Sequence, residues 1–164
     1  MNPIKIKEGV YWVGEIDWDL RNFHGYSTQR GTTYNAYLIL DEKITLIDTV
    51  RSYLYDKMIQ RLSSLVDPSK IHYIISNHVE MDHSGGLPAV MEVIGKDKPI
   101  YCSKMGFKNL SRHFPAGLNL REVADGEELN LGRRTLQFLE TRMIHWPDSM
   151  FTYLKEDQIL FSSD

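Results

Sequence analysis

The run His78-Val79-Glu80-Met81-Asp82-His83 places four potential metal ligands within six residues, directly after the apolar stretch Ile71–Ser76. In extended backbone alternate side chains share a side. His78, Glu80 and Asp82 are therefore expected to point together, with Val79 and Met81 turned into packing. His83 follows as the chain turns, and Ser84-Gly85-Gly86 gives the loop conformational freedom. The bland alternative is a solvated polar loop. Such loops favour Lys, Ser and Asn, whereas this one has no Lys or Arg to balance its acids. Two carboxylates converging with two imidazoles and no cation would repel one another, and a metal ion removes that penalty.

The ligand types narrow the metal. Imidazole nitrogen mixed with carboxylate oxygen, without thiolate, suits iron, manganese or catalytic zinc, not a structural zinc knot. Two later residues extend the set. His145 lies in Met143-Ile144-His145-Trp146-Pro147-Asp148, a turn after an expected strand, and Asp164 follows the expected strand Gln158–Ser163. Three histidines and three carboxylates exceed the roughly three protein ligands of one catalytic ion. They fit two ions about 3.5–4 Å apart, bridged by a carboxylate.

Such a set needs strand ends that meet at one edge. The pattern predicts strands at Ile4–Lys7, Val10–Gly14, Tyr34–Leu40 and Lys43–Asp48, the last two forming a hairpin across Asp41-Glu42. Residues 17–33 read as a loop. Leu54, Met58, Ile59, Leu62 and Leu65 recur at helical spacing, predicting an amphipathic helix over 53–66 that ends at Asp67-Pro68. A strand at Ile71–Ser76, the loop Asn77–Gly86, a helix at Leu87–Ile94 and a strand at Pro99–Cys102 come next. Ser103 can N-cap a helix to about Arg112. Strands close the pattern at Leu120–Val123, Thr135–Glu140, Met150–Leu154 and Gln158–Ser163. Strands, then strand–helix alternation, then strands imply a mixed sheet with helices on one face, an α/β layer.

The bulk numbers exclude other classes. The 164 residues suffice for one domain with a core, and 42% hydrophobic and 25% charged residues are ordinary globular composition. A net charge of −3, with no basic run beyond Arg133-Arg134, argues against nucleic acid and an anionic membrane surface. The single cysteine, Cys102, fits a reducing compartment and reads as a buried apolar thiol. Without a secretory h-region or a membrane-length apolar run, a cytoplasmic protein is the expectation.

The ligand run resembles the metallo-β-lactamase superfamily signature His-x-His-x-Asp-His, with Glu80 at the second His position. That departure resembles the flavodiiron proteins, whose pattern is His-x-Glu-x-Asp-His. His145-Trp146-Pro147-Asp148-Ser149-Met150 is similar to another segment of that family, as are Phe23-His24-Gly25-Tyr26 and Gly31-Thr32-Thr33-Tyr34-Asn35-Ala36-Tyr37-Leu38. The resemblance implies a metallo-β-lactamase-like αβ/βα sandwich, of which residues 1–164 would be the N-terminal portion, incomplete at its C-terminus. It implies two non-haem irons. The first would take His78, Glu80 and His145, the second Asp82 and His83, with Asp164 bridging and a further histidine beyond this chain. It also implies reduction of dioxygen to water or of nitric oxide to nitrous oxide. Electrons would come from FMN on a flavodoxin-like domain outside this chain, fed by a rubredoxin-like donor, in a head-to-tail homodimer. A dinuclear zinc hydrolase on the same fold and a diiron oxygen sensor are the alternatives. The anionic Glu80 favours the more positive oxidised state, hence redox iron over zinc.

Other residues carry paired readings. His24, and more weakly Tyr26, would line the substrate pocket, His24 as a proton donor or gate; His24 could equally be a surface histidine. Trp146 would pack at the cofactor edge near Glu80 or simply shield the metals. Asp48 and Asp148 would hydrogen-bond ligand imidazoles or form Asx turns at strand ends. His72 and His113 read as structural or surface groups and the methionines as core filling. A sheet with one bare apolar face is unstable alone, so the chain is expected to be part of a longer protein or to pair with a missing half.

Overall fold

The computed structural model describes residues 2–115 and 117–163. The chain opens with β1 (Ile4–Lys7) and β2 (Val10–Trp12), then β3 (Glu15–Asp17), β4 (Asn22–Phe23), β5 (Tyr26–Ser27) and β6 (Thr32–Tyr34). β7 (Tyr37–Ile39) and β8 (Thr45–Ile47) form the expected hairpin. After α1 (Tyr55–Ser63) come β9 (Tyr73–Ser76), α2 (Met81–Ser84), α3 (Leu87–Ile94), β10 (Ile100–Cys102) and α4 (Lys104–His113). β11 (Leu120–Glu122), β12 (Glu128–Asn130), β13 (Thr135–Glu140), β14 (Met150–Leu154) and β15 (Ile159–Phe161) complete it.

Two sheets carry the architecture. A seven-stranded sheet runs β1-β2-β7-β8-β9-β10-β11, antiparallel from β1 to β8 and parallel from β8 to β11. β12 to β15 form an antiparallel four-stranded meander. Alternation along each strand decides which face meets which layer. Leu38, Leu46, Ile74 and Ile100 face the helices, packing with Met58 and Leu62 of α1, Val90 and Met91 of α3 and Leu110 of α4. Ile39, Ile47 and Ile75 face the other way, onto Leu136, Phe138, Met150, Leu154 and Phe161 of the second sheet. The α/β class read from the sequence holds. The chain's own β12–β15 meander covers the face of the main sheet turned away from the helices.

Several local expectations need correction. Residues 17–33 are not a plain loop, because β3 pairs with β6 and β4 with β5. Tyr34 belongs to β6, not to the β7 strand, and β2 stops at Trp12. The predicted 53–66 helix is a 3-10 turn at Ser52–Leu54 followed by α1, and Asp67-Pro68 starts another such turn, with the Asp67 carboxylate accepting from Ser69 N–H. β12 adds a strand that the pattern does not predict, since Glu128-Leu129-Asn130 has little strand propensity. Met58, Met91 and Met150 fill the core, but Met81 and Met143 are exposed.

Ser103 caps α4 as expected, accepting from Gly106 N–H at 3.0 Å. A buried ion pair fixes α1 to the N-terminal strands: the Arg61 guanidinium lies 2.9 Å from Glu15 Oε2, reaches the Gly14 carbonyl and covers the Trp12 ring. No helix is long and apolar enough to cross a membrane among the described residues.

Candidate metal centre

The parallel strands β8, β9 and β10 end at one edge of the sandwich, where β14 begins and β13 and β15 end. His78 and Glu80 follow β9, and His145 sits in the connection from β13 to β14. One ligand atom from each of His78, Glu80 and His145 falls within 4.8 Å of the others. His78 is buried, Glu80 half-buried and His145 exposed, so the group opens to solvent on the His145 side.

The two oxygens of Glu80 are used differently. Oε2 lies 3.3 Å from His78 Nε2 and 3.7 Å from His145 Nε2. Oε1 takes the Nε2 of His24 at 2.5 Å. His24 is delivered by the two-residue turn of the β4–β5 hairpin, where His24 (φ 49°) and Gly25 (φ 83°) both have positive φ, as a primed turn requires. The Phe23 ring stands edge-on to His24 at 4.2 Å, and Arg51 lies over Phe23 at 5.0 Å. The structure thus brings His24 to the candidate ligands. It leaves Tyr26, on the same hairpin, 77% exposed.

His78 is oriented from behind. Its Nδ1 donates to Asp148 Oδ2 at 2.8 Å, and the same oxygen accepts Val79 N–H at 2.9 Å. Burial alone would lower the His78 pKa, but the hydrogen bond and charge of Asp148 outweigh it and raise it. Burial likewise pushes Asp148 up, and its bonds from His78 and Val79 bring it below the usual carboxylate range. A carboxylate on Nδ1 leaves Nε2 as the nitrogen that faces Glu80, which is the tautomer a ligand needs. Ser103 Oγ donates to the Asp148 carbonyl at 2.7 Å, so the cap of α4 also anchors this segment.

Asp82 and His83 are buried but lie in α2, which begins immediately after Glu80. Extended backbone therefore places only His78 and Glu80; Asp82 is placed by a helical turn. The His83 ring lies 5.3 Å from the His78 ring, with Nε2 3.8 Å from Asp82 Oδ2. Its Nδ1 is 3.3 Å from Ser163 Oγ and 3.6 Å from Asp48 Oδ2. Thr49 fixes the turn, its N–H and hydroxyl both donating to the His83 carbonyl at 2.9 and 2.6 Å. Asp164 lies outside the described residues.

Trp146 is 41% exposed, its ring 5.4 Å from His78. His72 is structural, accepting Ile44 N–H at 3.2 Å. Cys102 is buried and its thiol pushed up to about 12 by burial, so it stays protonated at neutral pH. Nitrogen and oxygen donors, one shared carboxylate and an anionic partner behind an imidazole suit a divalent ion.

A family model described as ODP family beta lactamase matches residues 32–164. The chain is 45% identical over 165 residues to a nitric oxide reductase of Moorella thermoacetica, covering 99% of this chain and 41% of that protein. It superposes on the rubredoxin oxygen:oxidoreductase of Desulfovibrio gigas with TM-score 0.92 and 43% identity, covering 97% of this chain and 40% of that one. The flavodiiron protein of Giardia intestinalis gives TM-score 0.93 and 37% identity, covering 99% and 40%. The chain thus spans about two fifths of the length of these relatives.

Proposed function

Since the chain belongs to the ODP family of β-lactamase-like domains and, within it, to the flavodiiron proteins, we propose that it carries most of a diiron site for reducing dioxygen to water or nitric oxide to nitrous oxide. The observation that carries this reading is the meeting of His78, Glu80 and His145 within 4.8 Å. These three would hold the first ion. Asp82 and His83 would serve the second, and Asp164 would bridge the pair. Two ferrous ions held there would supply two electrons at one place, enough to turn two nitric oxide molecules into nitrous oxide and half of the four that dioxygen needs to become water.

The remaining chemistry belongs to the chain. Asp148 holds the Nδ1 proton of His78, which leaves Nε2 facing Glu80, where it would be free to ligate an ion. His24 holds a proton at Glu80 Oε1 and so steers Oε2 inward, on the rim where substrate would enter. Trp146 stands beside His78 on the solvent side. Electron delivery would come from FMN on a flavodoxin-like domain of the longer protein, fed by a rubredoxin-like donor. A head-to-tail dimer would bring the FMN of one subunit to the iron site of the other.

The test is a single-turnover reaction. Anaerobically iron-loaded, dithionite-reduced protein, freed of excess dithionite, is mixed with dioxygen or nitric oxide. Consumption of either gas, with nitrous oxide formed from nitric oxide, is expected. A protein that leaves both gases untouched but hydrolyses an ester when loaded with zinc would overturn the reading.

A further inference from the structure

Asn77 enters neither the ligand set nor the scheme above, yet it is 0% exposed and sits between β9 and His78. Both its backbone groups and both ends of its side-chain amide are engaged. Its N–H donates to Asp48 Oδ1 at 2.8 Å, just past β8. Its carbonyl accepts Met150 N–H of β14 at 3.0 Å. Its Oδ1 accepts the Thr152 hydroxyl of β14 at 2.6 Å, and its Nδ2 donates to the Phe161 carbonyl of β15 at 3.3 Å. The partners belong to both sheets.

The candidate ligands are likewise divided between the sheets. His78 and Glu80 follow a strand of the seven-stranded sheet, whereas His145 precedes β14 of the other. Between the sheets lies an apolar layer of Ile39, Ile47, Ile75, Phe138 and Leu154. Apolar packing is non-directional, so on its own it fixes the sheets' sideways register weakly. A ligand set needs placement to about 0.5 Å. Directional bonds at the ligand-bearing edge supply it, and Asn77 makes three of them across the layer, one residue before His78. The side chain must accept at one end and donate at the other. Aspartate has the length but no donor, and leucine has neither group.

We infer that Asn77 is a positioning residue that locks the two sheets at the offset where His145 meets His78 and Glu80. The inference rests on the metal-site reading above. Its job is separate from that of Asp148, which orients one imidazole, because Asn77 touches no ligand side chain among its hydrogen-bond partners.

Three variants test it. Thr152→Val keeps the side-chain shape and removes only the hydroxyl that Asn77 Oδ1 accepts. Asn77→Asp removes the donor to Phe161. Thr152→Ser keeps the hydroxyl and serves as the conservative rescue. Two quantities are measured on each: the affinity for ferrous iron by anaerobic titration, and the melting temperature of the metal-free protein. Positioning predicts that Thr152→Val weakens iron binding about tenfold and Asn77→Asp more, while Thr152→Ser stays within about twofold of the parent. Should Thr152→Val and Asn77→Asp lower only the melting temperature, with parental iron affinity, Asn77 is a structural staple and the inference is wrong. If Asn77→Asp does not fold, Thr152→Val decides alone. The parent protein and His145→Ala separate this failure from the larger one. A parent that binds no iron, or a His145→Ala variant that binds it as tightly as the parent, overturns the metal site and this inference with it.

Discussion

Replacing Asp148 by Asn removes one charge and adds one buried NH2 group. Asp148 is 1% exposed, and its Oδ2 alone receives both the His78 Nδ1–H at 2.8 Å and the Val79 N–H at 2.9 Å. Its Oδ1 finds no hydrogen-bond partner among the described residues. In Asp148→Asn the amide oxygen takes the Oδ2 position and keeps both donors, while an NH2 group is buried at Oδ1 without an acceptor. A hydrogen bond to a charged group contributes about 1.5–3 kcal/mol against about 0.5–1.5 for a neutral one. The difference, about 1–1.5 kcal/mol, is roughly tenfold in ion affinity. Asp148→Ala strips the acceptor as well, and its loss is expected near 100-fold, the upper end for groups behind a ligand imidazole. The assay is anaerobic ferrous titration, with urea unfolding of the metal-free protein in parallel. Unfolding isolates the stability cost of the two orphaned donors in Asp148→Ala, about 1–3 kcal/mol each. Parental iron affinity in both variants would refute the claim that Asp148 presents His78 to the metal.

Three further outcomes follow from the packing and the charges. Arg61→Met leaves the buried Glu15 carboxylate without the guanidinium at 2.9 Å, and is expected to destabilise the fold by about 3–5 kcal/mol, read as a lower urea midpoint at unchanged slope. Acid should unfold the protein through Asp17, Asp41 and Asp157. Burial raises each, but bonds from Tyr53 and the Asp19 N–H, from the Glu42 and Arg133 N–H groups, and from Arg134 and Lys7, respectively, bring all three below the carboxylate value of 3.8. A depressed folded pKa gives stability that is complete above the unfolded value and lost as pH falls through the folded one. Stability should therefore fall by up to about 1.4 kcal/mol per pH unit for each group below about pH 4, and a flat profile from pH 5 to 3 would contradict this. Cys102, buried with its thiol near 12, should resist alkylation by iodoacetamide in the folded protein and react in urea; rapid labelling of the native state would show the β10 end to be open.

The ligand run was legible because chemistry dictates its composition. His78, Glu80 and His145 lie within 4.8 Å of one another, since the connections that carry them follow β9 and β13 at the same edge. Asp82 was misread in its local geometry. Period-two alternation assumes extended backbone, and the onset of α2 after Glu80 gives no strong signal in four residues. The roles of Asp48 and Asp148 stayed open for a different reason. A strand-end aspartate looks the same whether it closes its own turn or reaches across the fold, and Asp148 meets a histidine 70 residues away. Asn77 reads as part of a polar loop in the sequence, because its partners lie on strands that only the folded chain brings near. The second sheet was visible as strands but not as a cover for the first, because periodicity shows which side of a strand is apolar without naming what packs on it.

Whether this edge holds redox iron is read from metal content and identity in the purified protein, by elemental analysis with visible spectra under air and after anaerobic reduction. Iron is expected as the retained metal, near two ions where the second site is complete and at least one at His78, Glu80 and His145, with visible absorption under air that bleaches on reduction. Zinc retained through iron-rich growth, in a protein with no redox-sensitive absorption, would contradict it.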